Sequence, residues 1–327
     1  MFVSYFPQIT QGPIGRYDRL APQFLAEHKY DLAVIQHGLQ RMAWGLFKKF
    51  IIADRAGVVS DLVFNNPGQY HGIYVIIGVL AYCAQLYGDF AGGIDMVMGA
   101  SEMFGIHLDD NFRQPFFSHS IGEFWRRWHI TLGTWMKDYV FYPVTLSRWM
   151  GSFSKWAKKV FGRKTGRTLP ICIANIVVFF VVGVWHGAAW KYIIYGLYNG
   201  LIIAFSGLMA GNYRSWKKKL HISGKETWYY VFTVIRTFIL TVISMYFDRP
   251  DNMGVALHMM KLSVTRFNPS QILLIPAGKQ GTTFTPYALL ILAVGCVILF
   301  VVSVLQERGM KIRESLAKLP LPVTVTV

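Results

Sequence analysis

The stretch Leu169-Pro170-Ile171-Cys172-Ile173-Ala174-Asn175-Ile176-Val177-Val178-Phe179-Phe180-Val181-Val182-Gly183-Val184-Trp185-His186-Gly187-Ala188-Ala189-Trp190 runs without one Lys, Arg, Asp or Glu. Roughly 20 apolar residues in a helix cross a ~30 Å hydrocarbon core, so this run is long enough to span a bilayer. Working outward, residues 70–88, 192–211 and 284–305 are equally free of charge, and residues 228–247 carry only Arg236. Five spans are therefore predicted. Residues 31–54 and 94–106 are apolar with scattered polar groups, which predicts helices packed inside the bundle or lying at its interface. The 327 residues are 53% hydrophobic and 15% charged, whereas soluble domains carry ~25% charge. The reading is all-α: a polytopic transmembrane helix bundle with re-entrant or interfacial helices, forming a single membrane domain over residues 1–327.

The net charge of +16 is concentrated between the apolar runs. Residues 146–168 hold Arg148, Lys155, Lys158, Lys159, Arg163, Lys164 and Arg167 with no acid, which predicts a cytoplasmic loop. Residues 212–227 hold Arg214, Lys217, Lys218, Lys219 and Lys225, and a cytoplasmic tail is expected over residues 306–327 with Arg308, Lys311, Arg313 and Lys318. All three fall on one side if residues 169–211 form one hairpin and 228–305 another, with 249–283 as an outward loop. Val184-Trp185-His186-Gly187 then lies toward the outer end of its helix. Such basic runs orient the chain and attract anionic membrane lipid. No nucleic-acid motif interleaves with them, so nucleic acid is not an expected partner. Cys83, Cys172 and Cys296 sit singly in apolar stretches and read as packing residues. The start has no basic region followed by an apolar core, so insertion is expected to rely on internal helices.

Ser120 followed by Glu123 is a capping box. It predicts one amphipathic helix with Trp125, Trp128, His129, Leu132, Trp135, Met136 and Tyr139 on one face. Arg126, Arg127, Lys137 and Asp138 take the other face. His129 is either a hydrogen-bonded core or interface histidine, or a functional group. His186 is costlier to explain as structure, because an ionisable residue in an apolar span is expected to face the bundle interior or a water-filled cavity. Catalysis, transport and a satisfied structural role all remain open for it. Asn175 lies about three turns earlier on the same face and could line the same polar track. Asp89 and Asp95 bracket a glycine-containing turn; they and Arg236 read as paired structural charges. Gly88, Gly92 and Gly99 would let neighbouring helices approach closely. No zinc, serine-nucleophile or nucleotide motif occurs in a supporting context. No bound cofactor and no metal are expected.

Several segments together resemble the membrane-bound O-acyltransferases (MBOAT), especially their bacterial branch acting on alginate and teichoic acids. They are Phe6-Pro7-Gln8-Ile9 with Gln11-Gly12-Pro13-Ile14-Gly15-Arg16-Tyr17, Phe47-Lys48-Lys49 with Ile52-Ala53-Asp54-Arg55, and Gly88-Asp89-Phe90-Ala91-Gly92 with Ile94-Asp95. Asn111-Phe112-Arg113-Gln114-Pro115 and Phe124-Trp125-Arg126-Arg127-Trp128-His129 follow, then Trp135, Asp138-Tyr139, Tyr142-Pro143 and Trp185-His186-Gly187. The resemblance implies a transferase that moves a short acyl group, acetyl or D-alanyl, from a cytoplasmic thioester toward a hydroxyl of an exported cell-surface polymer. The donor would be acyl-CoA or an acyl carrier protein. It also implies that His186 and His129 are catalytic, with Asn175, Trp185 and Asp138 as supporting groups. An acidic carrier protein and a secreted SGNH-type acyltransferase are the implied partners, and the bacterial cytoplasmic membrane is the implied location. Members of this branch usually carry more hydrophobic helices before the Pro-Gln element, so the chain is expected to lack N-terminal helices. The rival reading is a non-enzymatic transporter or flippase of a cell-envelope precursor, for which inverted repeats are the usual trace; none is visible.

Overall fold

The structure, a computed structural model, describes residues 2–9, 11–267 and 286–316. In chain order the helices begin with α1 (Phe6–Ile9), α2 (Tyr17–Leu25), α3 (Leu32–Leu46), α4 (Asp54–Phe64) and α5 (Ile73–Met103). Next come α6 (Ile121–Arg127), α7 (Ile130–Met136), α8 (Tyr142–Leu146), α9 (Arg148–His186) and α10 (Trp190–Lys219). The last are α11 (Thr227–Asp248), α12 (Met253–Thr265), α13 (Pro286–Glu307) and α14 (Ile312–Leu316). Among the described residues there is no strand, and α5, α9, α10, α11 and α13 are long and apolar enough to cross a membrane. These five overlap the predicted spans, of which residues 284–285 lie outside the described residues. The described residues group into two compact units, residues 1–114 with 262–327, and residues 115–261. The sequence reading expects one membrane domain.

In the first unit, α3 runs through a π-helical stretch, Phe47–Ala53, directly into α4. Asp31 starts it by accepting a 2.8 Å bond from the Ala33 amide. The seam between α3 and α5 is made by glycines facing each other. A Cβ placed on Gly45 would lie 2.6 Å from the Gly92 carbonyl oxygen, and one on Gly99 would lie 2.5 Å from that of Gly38. The backbones therefore approach as closely as small residues allow.

The two stretches predicted at 70–88 and 94–106 are one continuous helix, α5, with no turn at Asp89 and Asp95. The carboxylates do not break it because both are paired. Lys49 Nζ lies 2.7 Å from Asp89 and 2.9 Å from Asp54. Lys48 Nζ lies 2.5 Å from Asp95 and donates to the Ala91 carbonyl at 2.9 Å. Arg41 joins Asp95 at 3.1 Å, Glu102 at 2.7 Å and Asp110 at 3.3 Å. Arg313 of α14 reaches Glu102 at 2.7 Å, which ties part of the predicted tail to α5. The rest of that tail, including Lys318, lies outside the described residues.

In the second unit, α9 and α10 form the predicted hairpin. Gly183 sits against the Tyr192 backbone, where a Cβ would come 2.5 Å from the Tyr192 carbonyl oxygen. The basic segment 146–168, expected as a cytoplasmic loop, is largely helical in conformation. Ser147 caps it by accepting from the Met150 amide at 3.2 Å, and Lys and Arg favour helix. Inside α9 the helix breaks at Gly162, at φ 79° and ψ 164°, a conformation open to glycine. The chain turns back so sharply there that a Cβ on Gly166 would overlap the Ala157–Lys158 backbone. Lys164 then lies beside Gly211, so basic residues of α9 gather at the same end of the hairpin as Lys217, Lys218 and Lys219. His186 terminates α9 at the other end. Part of the predicted loop 249–283 is helix α12, capped by Asn252 on the Val255 amide at 3.0 Å; residues 268–283 lie outside the described residues.

Candidate active site

The Ser120 half of the capping box forms, with Ser120 Oγ accepting from the Glu123 amide at 3.1 Å, while Glu123 Oε2 accepts from the amide of His119, one residue before the cap, at 2.9 Å. The helix it starts is not the long amphipathic one predicted. It stops at Arg127, Trp128 is extended, and His129 adopts a left-handed conformation with φ 47° and ψ 55° before α7 begins. A left-handed histidine costs roughly 1–2 kcal/mol, so the surroundings must hold it. They do so from both sides. The Trp128 amide donates to Phe124 O at 2.8 Å, the Gly133 amide donates to His129 O at 3.0 Å, and the Trp128 and Phe124 rings stack at 5.5 Å. The apolar periodicity continues across this break, which hides it from pattern reading.

The reversal brings His129 to the end of α9. Its ring centroid lies 6.1 Å from that of Trp185, whose own ring lies 5.0 Å from His186. The two histidines proposed from sequence thus flank one indole. His129 is 9% exposed and Trp185 55%, so the former sits behind the latter rather than beside it in the open. Burial first, and the neighbouring His186 second, push the His129 imidazole down to about 4. It is neutral at physiological pH.

His186 is itself accessible. Tyr192 stacks beside its ring at 6.0 Å, and Tyr195 meets it edge-on at 5.6 Å. Asp248, the last residue of α11, belongs to the same corner, its carbonyl held by Lys191. Lys191 holds that corner together: its ammonium donates to the carbonyls of Asp248 at 3.1 Å and Pro250 at 2.7 Å, a cation on a helix C-terminus. Behind the histidines, Trp125 Nε1 donates to buried Asn199 at 3.1 Å, and Asn199 donates to Tyr195 O at 2.9 Å. This pair fixes α6 against α10.

The proposed supporting residues are placed less compactly. Trp185 lies between the histidines. Asn175 is eleven residues before His186 on the same helix, about 16 Å along the axis at ~1.5 Å per residue. Its amide is used locally, donating to Ile171 O at 2.9 Å. An oxyanion at His186 is out of its reach. Asp138 lies exposed in the π-helical stretch Lys137–Phe141. Arg236, expected as a paired charge, donates instead to the backbone carbonyl of His119 at 2.6 Å. Tyr192, Tyr195, Lys191 and Asp248 escaped the sequence reading. Tyr192 and Tyr195 follow His186 closely and meet it once the hairpin folds back, a signal that was present. Asp248 comes from a different helix and left none. Among the described residues no group of three or more His, Cys, Asp or Glu is arranged to hold a metal ion.

An all-α chain with five apolar spans among its described residues defines a polytopic membrane protein, and two of its histidines gather at one helix end. The family model for MBOAT, the membrane-bound O-acyltransferase family, matches residues 1–244, and the chain belongs to that family. It is 36% identical over 259 residues to the "Probable alginate O-acetylase AlgI" of Pseudomonas syringae pv. tomato, covering 78% of this chain and 43% of that protein. It is 32% identical to the peptidoglycan O-acetyltransferase of Helicobacter pylori, covering 80% of this chain and 45% of that protein. With the teichoic acid D-alanyltransferase of Bacillus subtilis it shares 31% identity over 75% of this chain and 59% of that protein. The chain thus spans about half the length of the curated relatives it matches.

Proposed function

We propose that this chain carries an O-acyltransferase site, which moves a short acyl group from a thioester to a hydroxyl of a cell-surface polysaccharide or teichoic acid. The observation that carries the reading is the convergence of His129 and His186 on Trp185 in a chain of this family. His186 takes the proton of the acceptor hydroxyl as the oxygen attacks the thioester carbonyl. The carbon–sulfur bond then breaks, and the imidazolium returns the proton to the leaving thiolate. Atoms and charge balance without a metal or redox partner. His129 is held neutral and buried, and it orders the indole against which the acyl group would lie. Tyr192 and Tyr195 fix the ring plane of His186. Acyl-CoA or an acyl carrier protein as donor, an SGNH-type partner as relay, and the bacterial cytoplasmic membrane as location are parts of the same proposal. The basic end of the α9–α10 hairpin supports an acidic donor, since it would raise the local concentration of one.

The test is the product. The full chain in proteoliposomes, given a labelled acetyl or D-alanyl thioester and a hydroxyl acceptor, is expected to form a hydroxylamine-sensitive ester. Movement of acceptor across the membrane with no ester formed would favour the transporter reading instead.

A further inference from the structure

The Lys49, Asp54, Arg55 segment belongs to a motif that the acyltransferase reading leaves without a role. In the first unit, α13 packs on the π-helical stretch 47–53 at Gly295, where a Cβ would lie 2.8 Å from Ile51 Cγ2 and 2.9 Å from Ile52 Cδ1. Toward the N-terminus of α13 a cavity of about 280 Å³ lies against α4, lined by Asp54 and Arg55 and by Phe50, Val58, Leu289 and Leu292. The lining is otherwise apolar. Arg55 Nε is buried there with no hydrogen-bond partner, and a desolvated N–H is costly to leave unpaired. The neighbouring Asp54 carboxylate faces Lys49 at 2.9 Å, and Lys49 also bridges Asp89.

The position of the site narrows the ligand. Ala288, Leu289 and Leu292 occupy the first two turns of a helix that is long and apolar enough to span, so the guanidinium stands near one end of that helix. The apolar walls close at Gly295, where α13 meets Ile51 and Ile52. A guanidinium with an unpaired N–H at that position, beside an apolar slot, fits a phosphodiester above an acyl chain. We infer that this cleft binds one membrane phospholipid, with its phosphate on Arg55 and an acyl chain between α4 and α13. The site is separate from the histidines and does not rest on the acyltransferase reading.

Native mass spectrometry of the full chain, released from detergent with added phosphatidylglycerol, tests it. Wild-type protein is expected to retain one phosphatidylglycerol at a detergent dilution that strips the others. Arg55→Gln is expected to weaken retention about tenfold, the usual scale for losing one charge-assisted bond. Leu292→Trp, which keeps the charge and fills the slot, is expected to do the same; it guards against an effect of Arg55 on folding. Chain-matched diacylglycerol should not be retained. Equal retention in wild type and both variants, or displacement of the lipid by inorganic phosphate alone, would overturn the assignment.

Discussion

Replacing Lys48 by Met isolates the cluster that lets α5 stay helical through its acids. The Lys48 side chain is 4% exposed and the Asp95 side chain 16%, so neither charge is screened by water. Removing one member of a buried pair leaves the other charge desolvated and costs roughly 3–5 kcal/mol. Arg41 still touches Asp95 at 3.1 Å, which places the expected loss for Lys48→Met near the lower end, about 3 kcal/mol. Adding Asp95→Leu removes the orphan. Arg41 and Arg313 then face Glu102 and Asp110 in balance, and the double variant should recover to within about 1–2 kcal/mol of wild type. SDS-induced unfolding of the micellar protein, followed by circular dichroism, reads both numbers. A double variant as unstable as the single one would show that the cluster does not act through charge pairing.

Other consequences are equally direct. Gly92→Val puts a branched side chain where a Cβ already lies 2.8 Å from the Gly45 carbonyl oxygen, and overpacking of this kind should cost about 1–3 kcal/mol in the same titration. His129 contributes a pH dependence whose sign follows from its lowered value. Its folded value of about 4 lies below the usual ~6.5, so the unfolded chain binds more protons between the two. The contribution is fully present above pH ~6.5 and is lost as pH falls toward 4, by up to about 3 kcal/mol. Unfolding midpoints of wild type and His129→Asn measured from pH 7 to 4 should therefore converge; parallel curves would remove His129 from the acid response. Asn199→Leu leaves the Trp125 indole N–H unpaired and should lower stability by about 1–3 kcal/mol, with thermal aggregation of the micellar protein as the measure.

Much of this architecture was legible because lipid imposes hard rules on the chain. Charge-free runs located the spans, the Ser120/Glu123 spacing located a helix start, and glycines at helical spacing located the tight seam. What escaped depended on groups distant in sequence. Asp89 and Asp95 read as a turn because nothing local shows that Lys48, Lys49 and Arg41 neutralise them. The basic run at 146–168 read as a loop because charge reports sidedness, not conformation, and its reversal hangs on one glycine. The break at His129 left no trace in the periodicity, since Trp125, Trp128 and Leu132 keep helical spacing across it. For the site, sequence singled out both histidines and Trp185, while Asn175 shared their face only at a distance that helical rise makes too long.

The proposed role of His186 is tested most directly by the initial rate of acyl transfer from a radiolabelled thioester to a hydroxyl acceptor, measured on the full chain in matched proteoliposomes. A lost general base is expected to lower the rate of His186→Gln by about 10²–10⁴ relative to wild type, with Asn175→Ala close to wild type. A His186→Gln rate within twofold of wild type, in protein with the wild-type unfolding midpoint, would contradict it.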